Sequence, residues 1–391
     1  MRMKKTINLR SILVFIIGIG IAIIALTGLV ARPASAAMPT SRHLEVAMLQ
    51  TADNANCLSC HNKPGLTKTL PSGEVLSLTI DQSHFSTSVH NGLNCTDCHK
   101  DITGFPHPSL RAQSLRNLSL QLYTGCQQCH ATQYNQTLDS VHQKALVGGN
   151  INAAICTDCH NPHSQMQLTD PTTGKLLPEA RLLIPQICAR CHSAIYDQYK
   201  QSVHGAALTQ ADNTDVPTCI DCHGVHNIED PTSTAFRLSS PQLCAKCHTN
   251  ASIMNKYGIS TQVLNTYVAD FHGTTVTLFE KISPNQATNK PVCFDCHGVH
   301  DIKRVDDPVY GLAMKQNLLK ACQRCHPNAT ANFPDAWMSH YIPSPSHDAL
   351  VYYVNLFYKI FIPLVIGGML VYVISDIVRR LLEHRKGAKH V

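Results

Sequence analysis

Every cysteine of this chain lies in the same five-residue motif, Cys-x-x-Cys-His, which occurs nine times. Two thiols at this spacing can add to the two vinyl groups of one porphyrin, and the imidazole that follows reaches the iron from one side. Because only 23 of the 391 residues are histidine, composition alone does not place a His after all nine pairs. The sequence therefore predicts nine covalently attached haems of the c type. The residues involved are Cys57, Cys60 and His61; Cys95, Cys98 and His99; Cys126, Cys129 and His130; Cys156, Cys159 and His160; Cys188, Cys191 and His192; Cys219, Cys222 and His223; Cys244, Cys247 and His248; Cys293, Cys296 and His297; and Cys322, Cys325 and His326.

Three other uses of paired cysteines explain this pattern less well. Zinc knuckles use Cys-x-x-Cys pairs, but a tetrahedral zinc site gains nothing from a His directly behind the second Cys. A disulfide framework makes no demand for that His either. A thioredoxin-like motif is expected once, in a βαβ setting, whereas here the motif recurs nine times in loop-rich sequence.

A six-coordinate haem iron needs a second axial ligand opposite the histidine of its motif. Further histidines recur in phase with the motifs, in phrases such as Ser-Val-His-Gly and Cys-His-Gly-x-His. These distal candidates are His90, His107, His142, His163, His204, His226, His272 and His300, with His340 or His347 for the last haem. The sequence does not assign each candidate to a particular haem.

Several other side chains are possible iron ligands on chemical grounds alone. They are His43, His84, Met166, Met254 and Met338, the methionines being equally suited to filling gaps in the packing. His384 and His390 follow the predicted membrane span and are excluded by that topology.

The motif spacing divides the chain into repeated units of two haems. We number them unit 1 (near 54–110), unit 2 (near 123–170), unit 3 (near 185–232), unit 4 (near 241–305) and unit 5 (near 319–347), the last with a single motif. Aromatic residues make up 6% of the chain and there is one Trp, so the side-chain core is expected to be thin. Closely spaced macrocycles would supply the missing apolar burial. We expect a mainly α, haem-packed fold with extensive loop and little β structure, including helices within 193–202 and 250–269.

Both ends of the chain carry membrane-related signals. The first ten residues hold four basic side chains, and an apolar run at 12–30 then leads to Ala34, Ser35 and Ala36. This pattern predicts a signal peptide at 1–36, with an uncleaved anchor as the alternative. A second apolar run at 356–378 is flanked by Tyr352 and Tyr353 on one side and by a basic segment, 379–391, on the other. Positive residues stay inside, so the prediction is one C-terminal span, a cytoplasmic tail and an extracytoplasmic haem domain at 37–350.

The formal charge of +6 is carried by the two ends. Without the five basic residues of 1–36, and without the five basic and one acidic residue of 379–391, the remainder has 22 basic and 25 acidic residues, a net charge of −3. Two propionates on each haem would make the folded domain more acidic. This charge excludes nucleic acid as a partner and favours a basic patch on a soluble redox protein.

The residues from about 54 to 347 resemble the multihaem cytochrome c superfamily. The phrases Ser-Val-His-Gly and Cys-x-Asp-Cys-His-Gly-x-His are similar to those of membrane-bound multihaem cytochromes of anaerobic respiratory chains. The resemblance implies bis-His ligation, low potentials and electron relay between a membrane quinone module and periplasmic or extracellular acceptors. Two departures stand out: NapC/NirT-type relatives have an N-terminal anchor and about four haems, and multihaem nitrite reductases carry a Cys-x-x-Cys-Lys motif that is absent here.

These observations predict an electron carrier without bond-making chemistry. Its expected partners are a membrane quinone-oxidising or cytochrome b-type subunit and a soluble or extracellular redox protein. Two alternatives remain at this stage. One is a reductase or oxidase with a single five-coordinate haem, and the other is a quinol dehydrogenase subunit.

Overall fold

The computed structural model describes residues 52–109, 111–337 and 340–387. The predicted signal peptide, His43, Met338 and His390 lie outside these residues. The α-helices are, in chain order, α1 Ala52–His61, α2 Gln82–Thr87, α3 Cys95–Cys98, α4 Leu115–Leu122, α5 Ala131–Thr137, α6 Val141–Val147, α7 Cys156–Cys159, α8 Pro178–Ala189, α9 Ser193–Lys200, α10 Val203–Ala211, α11 Cys219–His223, α12 Thr234–His248, α13 Ala251–Met254, α14 Val263–Ala269, α15 Phe271–Ile282, α16 Cys293–His297, α17 Lys315–Gln323 and α18 Ala349–Gly387. Short 3₁₀ helices cover Tyr123–Gln128, Asn255–Tyr257 and Phe333–Ala336.

The β-strands in the described residues form one small hairpin, besides two isolated antiparallel bridges, Thr169 with Leu176 and Ser344 with His347. Strands β1 Thr67–Thr69 and β2 Val75–Ser77 pair antiparallel, with Lys68 opposite Leu76. The hairpin lies in the stretch of chain between the two motifs of unit 1. The prediction of a mainly α fold with extensive loop and little β structure is confirmed.

The two motifs of a unit have different structural settings. The first motif lies at the C-terminal end of a helix, as in α1, α8, α12 and α17, or in the 3₁₀ turn that follows α4. The second motif forms its own single-turn helix, as in α3, α7, α11 and α16. Each unit therefore brings a helix end and an isolated turn together around its two attachment sites.

An aspartate inside the second motif explains why so short a helix forms there. Its carboxylate accepts a hydrogen bond from the backbone N–H of the residue that precedes the first cysteine, which satisfies a donor at the start of the helix. The four such bonds, 2.6–2.8 Å long, run from Asn94 to Asp97, Ile155 to Asp158, Thr218 to Asp221 and Val292 to Asp295. Negative charge at a helix N-terminus adds to the effect.

Closely packed helix pairs present the histidines between the motifs of units 3 and 4. Helices α9 and α10, and likewise α14 and α15, meet at a glycine. A Cβ on Gly205 would collide with the backbone carbonyl of Tyr199, and one on Gly273 with that of Tyr267. Ser202 caps α10 by accepting a hydrogen bond from the Gly205 N–H. The predicted helices within 193–202 and 250–269 are present, and the histidine follows each pair's junction as the second residue of α10 or α15.

The side-chain core is small. In unit 4, Leu238, Val276 and Val292 form a buried cluster against Phe279 and Phe294. This agrees with the low aromatic content and leaves most of the interior to other groups.

Helix α18 contains the predicted span. Its stretch Ala349–His384 contains an 18-residue window whose mean hydropathy is 2.2, and none of that window is buried. At about 1.5 Å per residue, this stretch is about 54 Å long, which exceeds the roughly 30 Å apolar thickness of a bilayer. By length and composition, this helix could cross a membrane.

Candidate haem centres

Eighteen imidazole rings are arranged as nine pairs, with angles between the two ring planes that range from 7° to 61°. Each pair joins the histidine of one motif to one of the distal candidates, and no histidine is used twice. The pairs, with the distances between ring centres, are His61–His107 (6.0 Å), His130–His90 (6.1 Å), His99–His163 (6.0 Å), His192–His142 (6.2 Å), His160–His226 (6.3 Å), His248–His204 (6.3 Å), His223–His300 (6.1 Å), His326–His272 (6.4 Å) and His297–His340 (6.3 Å).

The separation of the rings fits an iron ion midway between them. Two metal–imidazole bonds of about 2 Å, plus about 1 Å from each ring nitrogen to its ring centre, place the centres about 6 Å apart. Two imidazoles in direct stacking contact would lie much closer together. The nine gaps therefore have the size that bis-His ligation requires.

Hydrogen bonds orient several of these rings through Nδ1. Nδ1 of His61 donates to the Leu78 carbonyl at 2.7 Å, and Nδ1 of His90 donates to the Pro162 carbonyl at 2.9 Å. Further Nδ1 bonds run from His107 to the Pro108 carbonyl, from His160 to Oε1 of Gln165 and from His272 to the Asp270 carboxylate. A histidine whose Nδ1–H is engaged in this way presents Nε2 to a metal.

Burial favours the neutral form of ten of the paired rings. Burial, together with the facing His248, lowers the pKa of His204 to about 4. Burial, with His340 and His248 nearby, lowers the pKa of His297 to about 4. Burial likewise lowers the pKa of His99, His142, His163, His223, His226, His248, His300 and His340. The neutral ring is the form that binds a metal.

Apolar side chains flank the paired rings, as a porphyrin face requires. Val225 and Val299 stand between the two histidines of a Cys-His-Gly-Val-His phrase, and each has about half of its surface exposed, 50% and 53%. Phe236 stacks on His223 with ring centres 5.7 Å apart, and Phe333 lies 5.1 Å from His326. The residues present thus fit a haem group through both their nitrogen ligands and their apolar surroundings.

The pairing follows one rule that connects neighbouring units. We call the histidines between the two motifs of a unit inter-motif histidines (His90, His142, His204 and His272). We call those that follow the second or last motif post-motif histidines (His107, His163, His226, His300 and His340). Each inter-motif histidine faces the first-motif histidine of the next unit. Each post-motif histidine after the first faces the second-motif histidine of the preceding unit.

The two ends of the array complete this rule. His61 has no preceding unit to supply a ring, and His107 has no preceding haem to serve, so these two face each other. At the other end, His340 pairs with His297, whereas His347 lies against Tyr341 with ring centres 4.6 Å apart. Of the two candidates, His340 is therefore the one whose ring faces a motif histidine. His84 is exposed and pairs with Asp81.

Backbone bonds hold neighbouring units in register beside these rings. The N–H of the valine before an inter-motif histidine donates to the carbonyl two residues beyond the post-motif histidine of the following unit. The three bonds are Val89 to Gln165 (2.8 Å), Val141 to Ile228 (2.9 Å) and Val203 to Ile302 (2.7 Å). Histidines far apart in the sequence are brought into facing positions by this repeated contact.

The attachment cysteines follow one another in chain order. Within units 1 to 4, the first cysteines of the two motifs interact through their thiols: Cys57 with Cys95, Cys126 with Cys156, Cys188 with Cys219 and Cys244 with Cys293. Between units, electrostatic neighbours are Cys98 and Cys126, Cys159 and Cys188, Cys222 and Cys244, and Cys296 and Cys322. These eight junctions link all nine motifs in a single file.

Across the residues that the structure describes, none of the eighteen cysteines is joined to another by a disulfide bond. In the described part of the chain, no three side chains among Cys, His, Asp and Glu converge as they would around a zinc ion. Of the methionine candidates, Met254 is buried and Met166 is 48% exposed, and each of the nine motif histidines already faces a ring.

Arginine–aspartate pairs are a feature of the site that sequence reasoning missed. Arg116, Arg181 and Arg237 reach the aspartates of the second motifs in units 2, 3 and 4. The recurring Cys-x-Asp-Cys phrase was a visible signal, but the arginines lie 10 residues before Cys126 and 7 before Cys188 and Cys244. That uneven spacing conceals them in the sequence.

Comparison with known families places haem-attachment sequences in two parts of the chain. Residues 64–175, which hold three of the motifs, match the Class III cytochrome C family. Residues 211–253, which hold two more, match the doubled CXXCH motif. Neither the curated proteins nor the solved structures gave a match.

Proposed function

Because this chain is a multihaem c-type cytochrome, we propose that it carries nine haems, each ligated by two histidines, and relays electrons along them. Each bound haem supplies one-electron chemistry, because its iron alternates between the ferric and ferrous states. The protein contributes the ligands, their orientation and the spacing between attachment sites.

The nine imidazole pairs are the observation that carries this proposal. A catalytic haem keeps one axial position open for substrate, whereas bis-His ligation fills both positions. Every motif histidine faces a second ring at 6.0–6.4 Å. This arrangement favours electron relay over the alternative of a reductase or oxidase with one five-coordinate haem.

The single file of attachment cysteines supports a relay in chain order. Electrons would pass from unit to unit between the Cys57 motif and the Cys322 motif, the latter ending 23 residues before α18 begins at Ala349. We infer that the Cys322 end exchanges electrons with a membrane quinone-oxidising or cytochrome b-type subunit. The Cys57 end would serve a soluble or extracellular redox protein.

Membrane anchoring by α18 is the second part of the proposal. Its apolar surface is unburied and its basic residues follow the apolar stretch. By the positive-inside rule, the haem-bearing residues would lie on the extracytoplasmic side.

Mass spectrometry and EPR of the purified full chain test the haem content and ligation together. We expect the added mass of nine haems and only low-spin ferric signals. A mass with fewer haems, or a high-spin signal from one haem in nine, would contradict the proposal. Rapid turnover of nitrite or hydroxylamine would favour the enzymatic alternative instead.

The assignment of the last ligand has a matched pair of variants. His340→Ala should convert one haem to a high-spin form, because it removes the ring that faces His297. His347→Ala should leave all haems low-spin, because this ring packs on Tyr341. The reverse result would exchange the two roles.

Deleting residues 349–391 tests the anchor. The shortened chain should move from the membrane fraction to the soluble fraction with its haem count unchanged. A full-length chain that is itself released by a salt wash would show that α18 does not span the membrane.

A further inference from the structure

Three arginine–aspartate pairs connect the two motifs of units 2, 3 and 4 in the same way. Arg116 lies on α4, Arg181 on α8 and Arg237 on α12, the helices that lead into the first motif. The guanidinium nitrogens lie 2.8 Å from Asp158, 2.9 Å from Asp221 and 2.6 Å from Asp295, the aspartates within the second motifs.

Each arginine also donates to the same backbone position. This position is the carbonyl three residues before the first cysteine of the second motif: Ala153, Val216 at 2.8 Å and Lys290 at 3.0 Å. The guanidinium thus holds both sides of the turn that begins α7, α11 or α16. Unit 1 has a neutral version, in which Asn54 donates to the Leu93 carbonyl and accepts from the Cys95 N–H, both at 2.8 Å.

The three pairs are sheltered from water. The arginine side chains are 18–26% exposed and the aspartates 29–37%. The surface pair Arg304–Asp306, by comparison, is 71% and 62% exposed. Charges in a sheltered position act more strongly on their neighbours than exposed charges, which water screens.

The charges stand at the haem attachment sites themselves. Each aspartate lies between the two cysteines of its motif, as Asp221 does between Cys219 and Cys222. A charge at this place acts on the iron of the haem attached beside it.

We propose that the three arginine–aspartate pairs are positioning residues, which fix the two haems of a unit relative to each other. The pairs are Arg116–Asp158, Arg181–Asp221 and Arg237–Asp295. Their opposite charges balance at the second haem of the unit and together set its reduction potential. This inference rests on the proposed haem attachment. Removing the anion leaves a cation that disfavours the ferric form, so the potential rises. Removing the cation leaves an anion that favours the ferric form, so the potential falls.

The test compares two triple variants of the full chain by spectroelectrochemical titration at pH 8. One is Asp158→Asn with Asp221→Asn and Asp295→Asn, and the other is Arg116→Gln with Arg181→Gln and Arg237→Gln. The area between two titration curves gives the summed shift of all the haems, so no haem needs to be assigned. We expect a shift to higher potential for the first variant and to lower potential for the second.

Conservative and surface variants serve as controls. Arg181→Lys keeps the charge and should keep the wild-type curve more closely than Arg181→Gln. Asp306→Asn and Arg304→Gln alter the exposed pair and should leave the curve almost unchanged. If a triple variant fails to accumulate, the single variants replace it. Asp221→Asn should raise and Arg181→Gln should lower the summed reduction potential, each by about a third of the shift of its triple variant, since the three pairs are alike.

Potential shifts of the same sign in both triple variants would overturn the proposal, because such shifts are expected when either substitution merely opens the site to water. Shifts no larger than those of the surface controls would overturn it too. The haem mass of the wild-type chain separates this failure from that of the proposed function. A wild type without nine haems defeats the function, whereas nine haems with same-sign shifts defeat only the role of the charge pairs.

Discussion

Units 1 and 3 have the same two motifs but are held together differently. In unit 3, both motif histidines face rings from other units: His192 faces His142 of unit 2, and His223 faces His300 of unit 4. In unit 1, His61 faces His107 of its own unit.

The residues that join the two motifs of a unit also differ between units 1 and 3. Unit 3 joins its motifs through the ion pair Arg181–Asp221, whereas unit 1 uses the neutral Asn54. The inter-motif histidine of unit 3 begins helix α10, packed at Gly205, whereas His90 of unit 1 lies in a turn. Ligand exchange binds the interior units to neighbours on both sides, whereas unit 1 exchanges ligands with unit 2 alone and closes the array with the pair His61–His107.

The largest expected effect comes from removing an exchanged ligand. His226→Ala should give one high-spin haem and, because it removes one of the two ligand pairs that join units 2 and 3, lower the midpoint of thermal unfolding by roughly 10 °C. His107→Ala should give the same high-spin signal with a smaller loss of stability, since its pair lies within one unit. EPR and thermal unfolding of the two variants measure both effects. Equal losses of stability would remove the distinction between interior and terminal units.

The second-largest effect is expected at Gly205, where helices α9 and α10 meet. Gly205→Ala places a methyl group against the Tyr199 carbonyl and should cost about 2–3 kcal/mol of unfolding free energy. Gln143→Ala, at the matching position of unit 2, removes only a side-chain hydrogen bond to Tyr123 and should cost less, about 1 kcal/mol. Denaturant unfolding monitored by circular dichroism makes the comparison. A tolerated Gly205→Ala would mean that α9 and α10 can move apart at little cost.

Removing the neutral link of unit 1 is expected to cost a similar or slightly smaller unfolding free energy than Gly205→Ala. Asn54 is 8% exposed and makes two hydrogen bonds to the backbone, at Leu93 and Cys95. Asn54→Ala should therefore cost about 1–2 kcal/mol. Asn56→Ala changes an exposed residue of the same helix and provides the baseline in the same unfolding experiment. Identical curves for the two variants would show that this link is dispensable.

The smallest effect concerns a single hydroxyl of unit 3. The Tyr199 O–H donates to the Pro217 carbonyl at 2.8 Å, just before the second motif. Tyr199→Phe should lower stability by about 1 kcal/mol. Tyr310→Phe, at a side chain that is 68% exposed, should have no measurable effect. A loss as large for Tyr310→Phe would indicate a general response to lost hydroxyl groups.

Local sequence patterns allowed much of this site to be predicted. The motif residues, the set of distal candidates and the mainly α fold all follow from spacing over a few residues, because haem attachment requires two thiols and an imidazole on one turn of chain. Local signals also predicted the helices within 193–202 and 250–269, which precede two of the inter-motif histidines. The arginines of the ion pairs were not predicted, because their spacing from the cysteines varies from unit to unit.

The sequence by itself determined which side chains can hold the haems and where an apolar helix stands at the C-terminal end. Only the tertiary structure decided which histidine faces which. Paired rings lie between 40 residues apart, as for His90 and His130, and 77 apart, as for His223 and His300. Over such distances no periodicity distinguishes one candidate from another, and backbone contacts between neighbouring units select the pair. The preference for His340 over His347 has the same origin, since it depends on what each ring packs against after folding.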